Sequence, residues 1–397
     1  RKRVEGDPSA KDEAARKGLV GRAIDAAPKD PEVRMAAADL ALEVRQPAVA
    51  ARHLDQVPEA DRKGMRYLTL RGVVALYENK AADAIESWSR GLAASEGTEA
   101  DLSWKLAYVL LQLGRVDEAD DLIKQYRRLA GTRAGTSSTD VNPAAAYLEA
   151  LRLLKSNQPV AAIRALEAVR FKIPVPLKPQ FYLTLGQAYE ATRDDLKAAD
   201  SYGEASKVDP KFAAPRVARA RLLAAGGRVD EAVDELDRGL AAIGDDPALL
   251  TNLARLEFER QRRLPRARRS LKALQDYLDR GRKVAPGSPA LAVARANALA
   301  LDGDVEAANA LLAQAVNVDK TDPELWVARA ERLAAAGNLD QALMVAEQGL
   351  EPKAAGDQAS LRIARARIRT WLGHGAEARE ELVRDLDRLR PDQRPLV

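Results

Sequence analysis

The stretch PQFYLTLGQAYEATRDDLKAADSYGEASKVDPKF, residues 179–212, decides the fold. Tyr182, Leu185, Gly186 and Tyr189 fall on one helix, Ala198, Tyr202 and Ala205 on a second, and Pro210 closes the unit. Gly186 has no side chain, so the second helix can approach the first closely there, and the small Ala198 fills the facing slot. The distance between packed helices follows the side chains at their contact. Used as a ruler, the second-helix alanine recurs at Ala50, Ala84, Ala119, Ala162, Ala198, Ala232, Ala267, Ala308, Ala342 and Ala378, at intervals of 34 to 43 residues. Its first-helix partners are Ala38, Gly72, Ala107, Ala150, Gly186, Ala220, Ala254, Ala296, Ala330 and Ala366. Ten helix pairs follow, and residues 12–27, with Ala15, Leu19 and Ile24, read as a leftover second helix before them.

The punctuation agrees with the ruler. Gly114, Gly227, Gly303, Gly337 and Gly373 stand in the turns within pairs, just past a helix end where positive φ is needed. Pro47, Pro159 and Pro265 are expected to open second helices, where a missing N–H costs little. Asp30-Pro31, Asp209-Pro210, Asp246-Pro247 and Asp322-Pro323 stand between units as N-cap and first helical residue.

The residues of 179–212 resemble the tetratricopeptide repeat, whose pattern runs W-x2-L-G-x2-Y, then A-x3-F, then P. The match is loose in any single unit: Trp326 alone supplies the tryptophan at its position, and only Leu185-Gly186 supplies the Leu-Gly pair. Ten units in phase carry it. The resemblance implies an all-α chain wound as a right-handed α-α superhelix, a solenoid that binds other molecules and seldom catalyses. A HEAT-like solenoid would differ in helix angle and repeat length.

A solenoid buries its core one repeat at a time, so 397 residues are expected to form one elongated domain, 1–397. Aromatic residues make up only 4% of the chain, which suits helices packed through small side chains. No run of eighteen apolar residues is present. The absence of cysteine rules out disulfide and thiolate chemistry and leaves the compartment open. Residues 131–143 have the composition of an inserted flexible loop, and 171–179, with Pro174, Pro176 and Pro179, that of an extended connection. Both ends read as cut. The first helix before residues 12–27 is missing or incomplete, and Leu382, Leu386 and Leu389 line a last helix with no polar cap after it. A piece of a longer protein is expected, with Arg1-Lys2-Arg3 a weak hint of a processed flank.

Motifs that carry chemistry are missing. The two histidines, His53 and His374, have no second imidazole or thiolate with which to share a metal. No phosphate-cradling loop, dinucleotide fingerprint, nucleophile elbow or H-E-x-x-H occurs. Asp117-Glu118 and Asp230-Glu231 read as charges at second-helix N-termini that complement the helix dipole. No catalytic residue, cofactor or metal is expected.

In a tetratricopeptide array the first helices line the concave groove, and the resemblance implies that positions 2, 5, 9, 12 and 13 of each unit face it. On this chain those include Thr69, Val73, Leu76 and Tyr77, then Trp104, Tyr108, Leu111 and Gln112, then Tyr147, Leu151 and Leu154. Tyr77, Trp104, Tyr108 and Tyr147 are the expected partner anchors, with packing between repeats as the competing role. Later groove positions are mostly small or charged, such as Arg221, Ala224, Arg255, Ala300, Glu331 and Arg367.

A second candidate is a basic edge at 260–283, where ten Arg and Lys stand against Asp276 and Asp279 in a chain of net charge +4. Arg260, Arg262, Arg263, Arg266, Arg268, Arg269 and Lys272 are its core, offered to an acidic partner. Tyr277 is its only aromatic, which argues against nucleic acid. The carboxylate clamp of tetratricopeptide co-chaperones is missing: around Asn252 the required positions hold Val217, Arg221, Ala296 and Ala300. The expected function is a non-catalytic scaffold for a protein or peptide partner. The alternatives are a helical accessory domain of a larger enzyme or of a secretion or polysaccharide-export machine, and a polyanion adaptor.

Overall fold

The computed structural model describes residues 18–44, 46–134, 142–351 and 358–385. The expectations that rest on Arg1-Lys2-Arg3, Ala15, Leu386 and Leu389 fall outside these residues. Among the described residues every regular element is helical, with twenty-one α-helices, three short 3-10 turns and no strand.

Contacts group the chain into two compact units, Arg1–Ile173 and Pro174–Val397. The first holds α1 (18–26), α2 (Pro31–Glu43), α3 (Pro47–Asp55), α4 (Met65–Tyr77), α5 (Ala81–Ala94), α6 (Ala100–Gln112), α7 (Val116–Ala134), α8 (Pro143–Lys155) and α9 (Pro159–Glu167). The second opens with α10 (Lys178–Ala191), α11 (Asp195–Val208), α12 (Ala213–Ala225), α13 (Val229–Ile243), α14 (Pro247–Arg262) and α15 (Lys272–Val284). It continues through α16 (Pro289–Asp302), α17 (Val305–Val318), α18 (Pro323–Ala335), α19 (Leu339–Gly349), α20 (Ala359–Trp371) and α21 (Gly375–Asp385). From α2 onward the helices pair as helix–turn–helix units, and most first helices also touch the first helix of the next pair.

The pairs are keyed by size. Nine of the ten ruler alanines are no more than 2% exposed. Where the first helix offers alanine, the second generally sets Leu or Ile four residues past its own ruler alanine, as with Leu54, Ile123, Leu166, Leu236 and Leu312, all buried. Where the first helix offers glycine, that residue is aromatic. Trp88 lies so close to Gly72 that a Cβ there would sit 2.2 Å from its Nε1, and Tyr202 occupies the same space over Gly186 at 2.4 Å. The indole Nε1 of Trp88 donates to the Thr69 carbonyl at 2.9 Å and the Tyr202 hydroxyl to Glu190 Oε2 at 2.8 Å, so neither ring buries an idle polar atom.

The tenth alanine breaks the rule. Ala267 is exposed and sits in a 3-10 turn, Arg266–Arg268, that Pro265 precedes; neither belongs to a second helix. The second helix of this pair is α15, where buried Leu274 takes the ruler position. Gly281 settles the register: it lies seven residues after Leu274, as Gly91, Gly239 and Gly349 lie seven after Ala84, Ala232 and Ala342. Cβ atoms at Gly239 and Gly281 would meet Leu249 and Leu291 of the next pair at 2.7–2.8 Å, and one at Gly349 would meet Trp326 of its own pair at 2.8 Å and Leu361 of the next at 3.1 Å.

The helix ends follow local chemistry. Asp30, Asp246 and Asp322 accept hydrogen bonds from the first turns of α2, α14 and α18, each with proline in that turn. Asp209 instead closes a turn by accepting from the Lys211 N–H at 3.0 Å, and α12 starts later, at Ala213. All five turn glycines have positive φ, and Asn79, Asn157 and Arg193 adopt the same backbone without being glycine. Of the expected loop at 131–143, residues up to 134 belong to α7, and Asn142 caps α8. In the proline-rich segment Pro174 is extended, but Val175–Leu177 forms a 3-10 turn, and Pro179 sits in the first turn of α10, where its missing N–H costs nothing.

Candidate protein-binding surfaces

In the first unit, α6 and α8 bring three of the four expected aromatic anchors together. Trp104 stacks on Tyr108 with ring centroids 5.3 Å apart and planes 6° from parallel, and Tyr147 lies 6.4 Å from each. The Trp104 Nε1 donates to the Ala144 carbonyl at 3.3 Å, tying α6 to α8. Burial pushes the Tyr108 phenol above its ordinary range, with the hydrogen bond to Tyr147 opposing it.

Tyr147 is 1% exposed. It has no surface to offer a partner, and its place among the anchors is corrected to that of a support beneath the half-buried Trp104 and Tyr108. Tyr77, 53% exposed at the end of α4, makes no ring contact among the described residues. Leu111 and Leu151, also assigned to the groove, point into the core.

The second unit divides the expected basic edge into working parts. Arg269 donates to the carbonyls of Leu264 at 3.1 Å and Leu301 at 3.3 Å, and Arg266 to that of Asp302 at 3.4 Å. These two guanidiniums serve the C-terminal carbonyls of α16, where a cation is favoured by the helix dipole. Gln261 braces the same turn by accepting from the Ser270 N–H at 2.8 Å and donating to Glu257 at 2.6 Å. Arg262 pairs with Glu259 at 2.8 Å, and Arg280 with Asp245 at 2.7 Å. Asp245 is held below the ordinary carboxylate range by that bond. Arg263, Arg268 and Lys272 form no ion pair among the described residues.

Arg260 and Arg263 turn toward a cavity of about 420 Å³ walled by α12, α13 and α14. Arg221 and Arg255 complete its basic lining, Asp230 and Glu259 are the opposing carboxylates, and Ala224, Ala225, Val229 and Leu256 supply apolar wall. Arg221 is positioned from behind: its guanidinium meets Glu190 at 2.5 Å, and Glu190 also accepts from the Tyr202 hydroxyl. Burial and the neighbouring Glu190 drive the Tyr202 phenol far above its ordinary range, so it remains a donor. Arg255 is exposed and among the described residues reaches only Asn252, at 3.4 Å. Arg221 and Arg255 follow the small residues Ala220 and Ala254 directly, a recurrence 34 residues apart that the sequence itself carries.

Other ionisable groups are structural. Glu235, almost fully buried, is clamped by Arg216 and Arg219 at 3.0 Å each. Burial, with Arg34 and Arg52 nearby, lowers the His53 pKa below its usual value. His374 is exposed in its turn, 3.8 Å from Glu377. Asp117-Glu118 and Asp230-Glu231 stand in the first turns of α7 and α13, and Arg115 and Arg228 grip Glu118 and Glu231 there. Among the described residues no group of three metal-ligating side chains assembles, and no helix is long and apolar enough to cross a membrane.

Two family models described as tetratricopeptide repeat match the chain, one over 69–134 and 147–210, the other over 196–256. Yeast Tom70 is similar in fold: TM-score 0.55 at 13% identity, covering 97% of this chain and 88% of that one. A tetratricopeptide repeat protein of Parabacteroides merdae matches with 17% identity and TM-score 0.45, over 59% of this chain and 88% of its own. A thermophilic one from Thermus thermophilus matches with 26% identity and TM-score 0.42, over 48% and 98%. No curated protein sequence matches.

Proposed function

The chain belongs to the tetratricopeptide repeat proteins, and on that premise we propose that it is a non-catalytic scaffold that holds a protein partner on its first-helix faces. The observation that carries this reading is the Trp104–Tyr108 stack. Two large rings are fixed in one orientation by buried Tyr147 and by the Trp104 bond to Ala144, and both keep part of their surface exposed. Rings held in place lose little freedom on binding while removing much apolar area from water, which is the profile of an interface hot spot. Tyr77, exposed on the first helix of the preceding pair, is a further contact.

The test is capture of a partner from native extract by the full chain, followed by affinity measurement on the purified pair. Tyr108→Ala is expected to weaken binding at least tenfold, about 1.4 kcal/mol. Trp104→Phe, which keeps a ring and loses its donor, is expected to fall between wild type and Tyr108→Ala. Undiminished binding by a folded Tyr108→Ala would place the partner elsewhere.

A further inference from the structure

We infer that the cavity between α12 and α14 is a second docking site, one that takes an acidic peptide segment with an apolar side chain between its carboxylates. This rests on the scaffold reading but on a different unit and different chemistry. Four guanidiniums, from Arg221, Arg255, Arg260 and Arg263, surround the cavity against two carboxylates. One of those carboxylates, Glu259, is already engaged by Arg262 at 2.8 Å. Arg255 and Arg263 have no carboxylate partner among the described residues, and Arg260 has only a distant one, Glu257 at 3.9 Å.

An arginine fork meets a carboxylate through two parallel hydrogen bonds, so unpaired guanidiniums around a concavity select an acidic occupant by geometry as well as by charge. The wall between them, Ala224, Ala225 and Leu256, is aliphatic and short. At about 420 Å³ the cavity lies within the range of ligand pockets and suits an apolar side chain flanked by carboxylates. The same wall disfavours nucleic acid, because no aromatic ring among the described residues lines it for bases to stack upon.

The experiment uses the full chain and a fluorescein-labelled twelve-residue peptide of Asp and Glu with one central Leu, read by fluorescence anisotropy. Arg255→Glu with Arg263→Glu should weaken binding at least tenfold. Arg268→Glu with Lys272→Glu, the same charge change outside the cavity, should stay within threefold of wild type. Ala225→Trp fills the cavity without altering charge and should also weaken the probe at least tenfold. A single-stranded twelve-nucleotide DNA should bind more weakly than the peptide. Circular dichroism confirms that each variant keeps its helical signal, and a misfolded one is replaced by Arg255→Ala, which should lose at least threefold. The proposal is overturned if both double variants lose affinity equally, if the DNA binds more tightly, or if the wild type gives no saturable signal. A Trp104→Ala chain should bind this probe as wild type does, so failure here and failure of the aromatic site are separable.

Discussion

Tyr108 in the first unit and Arg221 and Arg255 in the second occupy the same place in their repeats, each directly after the small first-helix residue at the crossing point. Their fates differ. Tyr108 lies against Trp104 and Tyr147 and is partly absorbed into packing, whereas Arg255 stays exposed and Arg221 is held at a cavity rim by Glu190. The small-residue crossings set the scaffold, and the residue beside each crossing is free to vary in chemistry. A ring there is drawn onto its neighbours by apolar burial, and a guanidinium there remains available to charge.

The largest effect that would sharpen this contrast is on stability. Tyr147→Ala removes a fully buried ring and should cost about 3–5 kcal/mol, by analogy with large aromatic truncations. Arg255→Ala should stay within about 0.5 kcal/mol, as surface changes do. Urea unfolding followed by circular dichroism measures both, and equal losses would break the contrast.

Next is Gly72→Ala. Alanine is intrinsically better than glycine inside a helix by about 1 kcal/mol, yet its methyl would overlap the Trp88 indole, and overpacking costs about 1–3 kcal/mol. A net destabilisation is expected, relieved in the Gly72→Ala, Trp88→Leu double variant, which copies the alanine–leucine pairs elsewhere. Additive losses in that cycle would break the size-keying rule.

Arg193, at φ 62° in the turn between α10 and α11, should gain about 1 kcal/mol on substitution by glycine, which adopts that backbone without strain. A thermal melt reads this directly.

The smallest effect is pH dependence at His53. Its folded pKa lies below its ordinary value, so the unfolded chain binds the proton more readily. The stability linked to this group is full above the unfolded pKa, about 6.5, and is lost as pH falls from there through the lowered folded value. His53→Gln should flatten the stability curve on that side of neutrality and leave the steeper acid limb of Glu149 and Asp245 unchanged.

The fold was legible because its signal repeats. Ala50, Ala84, Ala198, Ala232 and their equivalents are buried as their spacing requires, and the turn glycines have the backbone their position demands. Ala267 misled because alanine is abundant in this chain and costs nothing on a surface. Gly281, seven residues after Leu274, held the correct register.

The sites were legible only as faces. That Tyr147 lies under its neighbours depends on how deeply α8 seats against α6, which no pattern within one helix records. That Arg266 and Arg269 are consumed at the end of α16 depends on a contact more than thirty residues away.

Oxidative footprinting of Trp and Tyr side chains, with and without the captured partner, tests the central claim most directly. With partner bound, oxidation of Trp104, Tyr108 and Tyr77 should fall, while Trp88, buried inside its pair, stays low in both states. Unchanged oxidation of Trp104 and Tyr108 in the complex, with protection confined to second-helix residues, would contradict partner binding on the first-helix face.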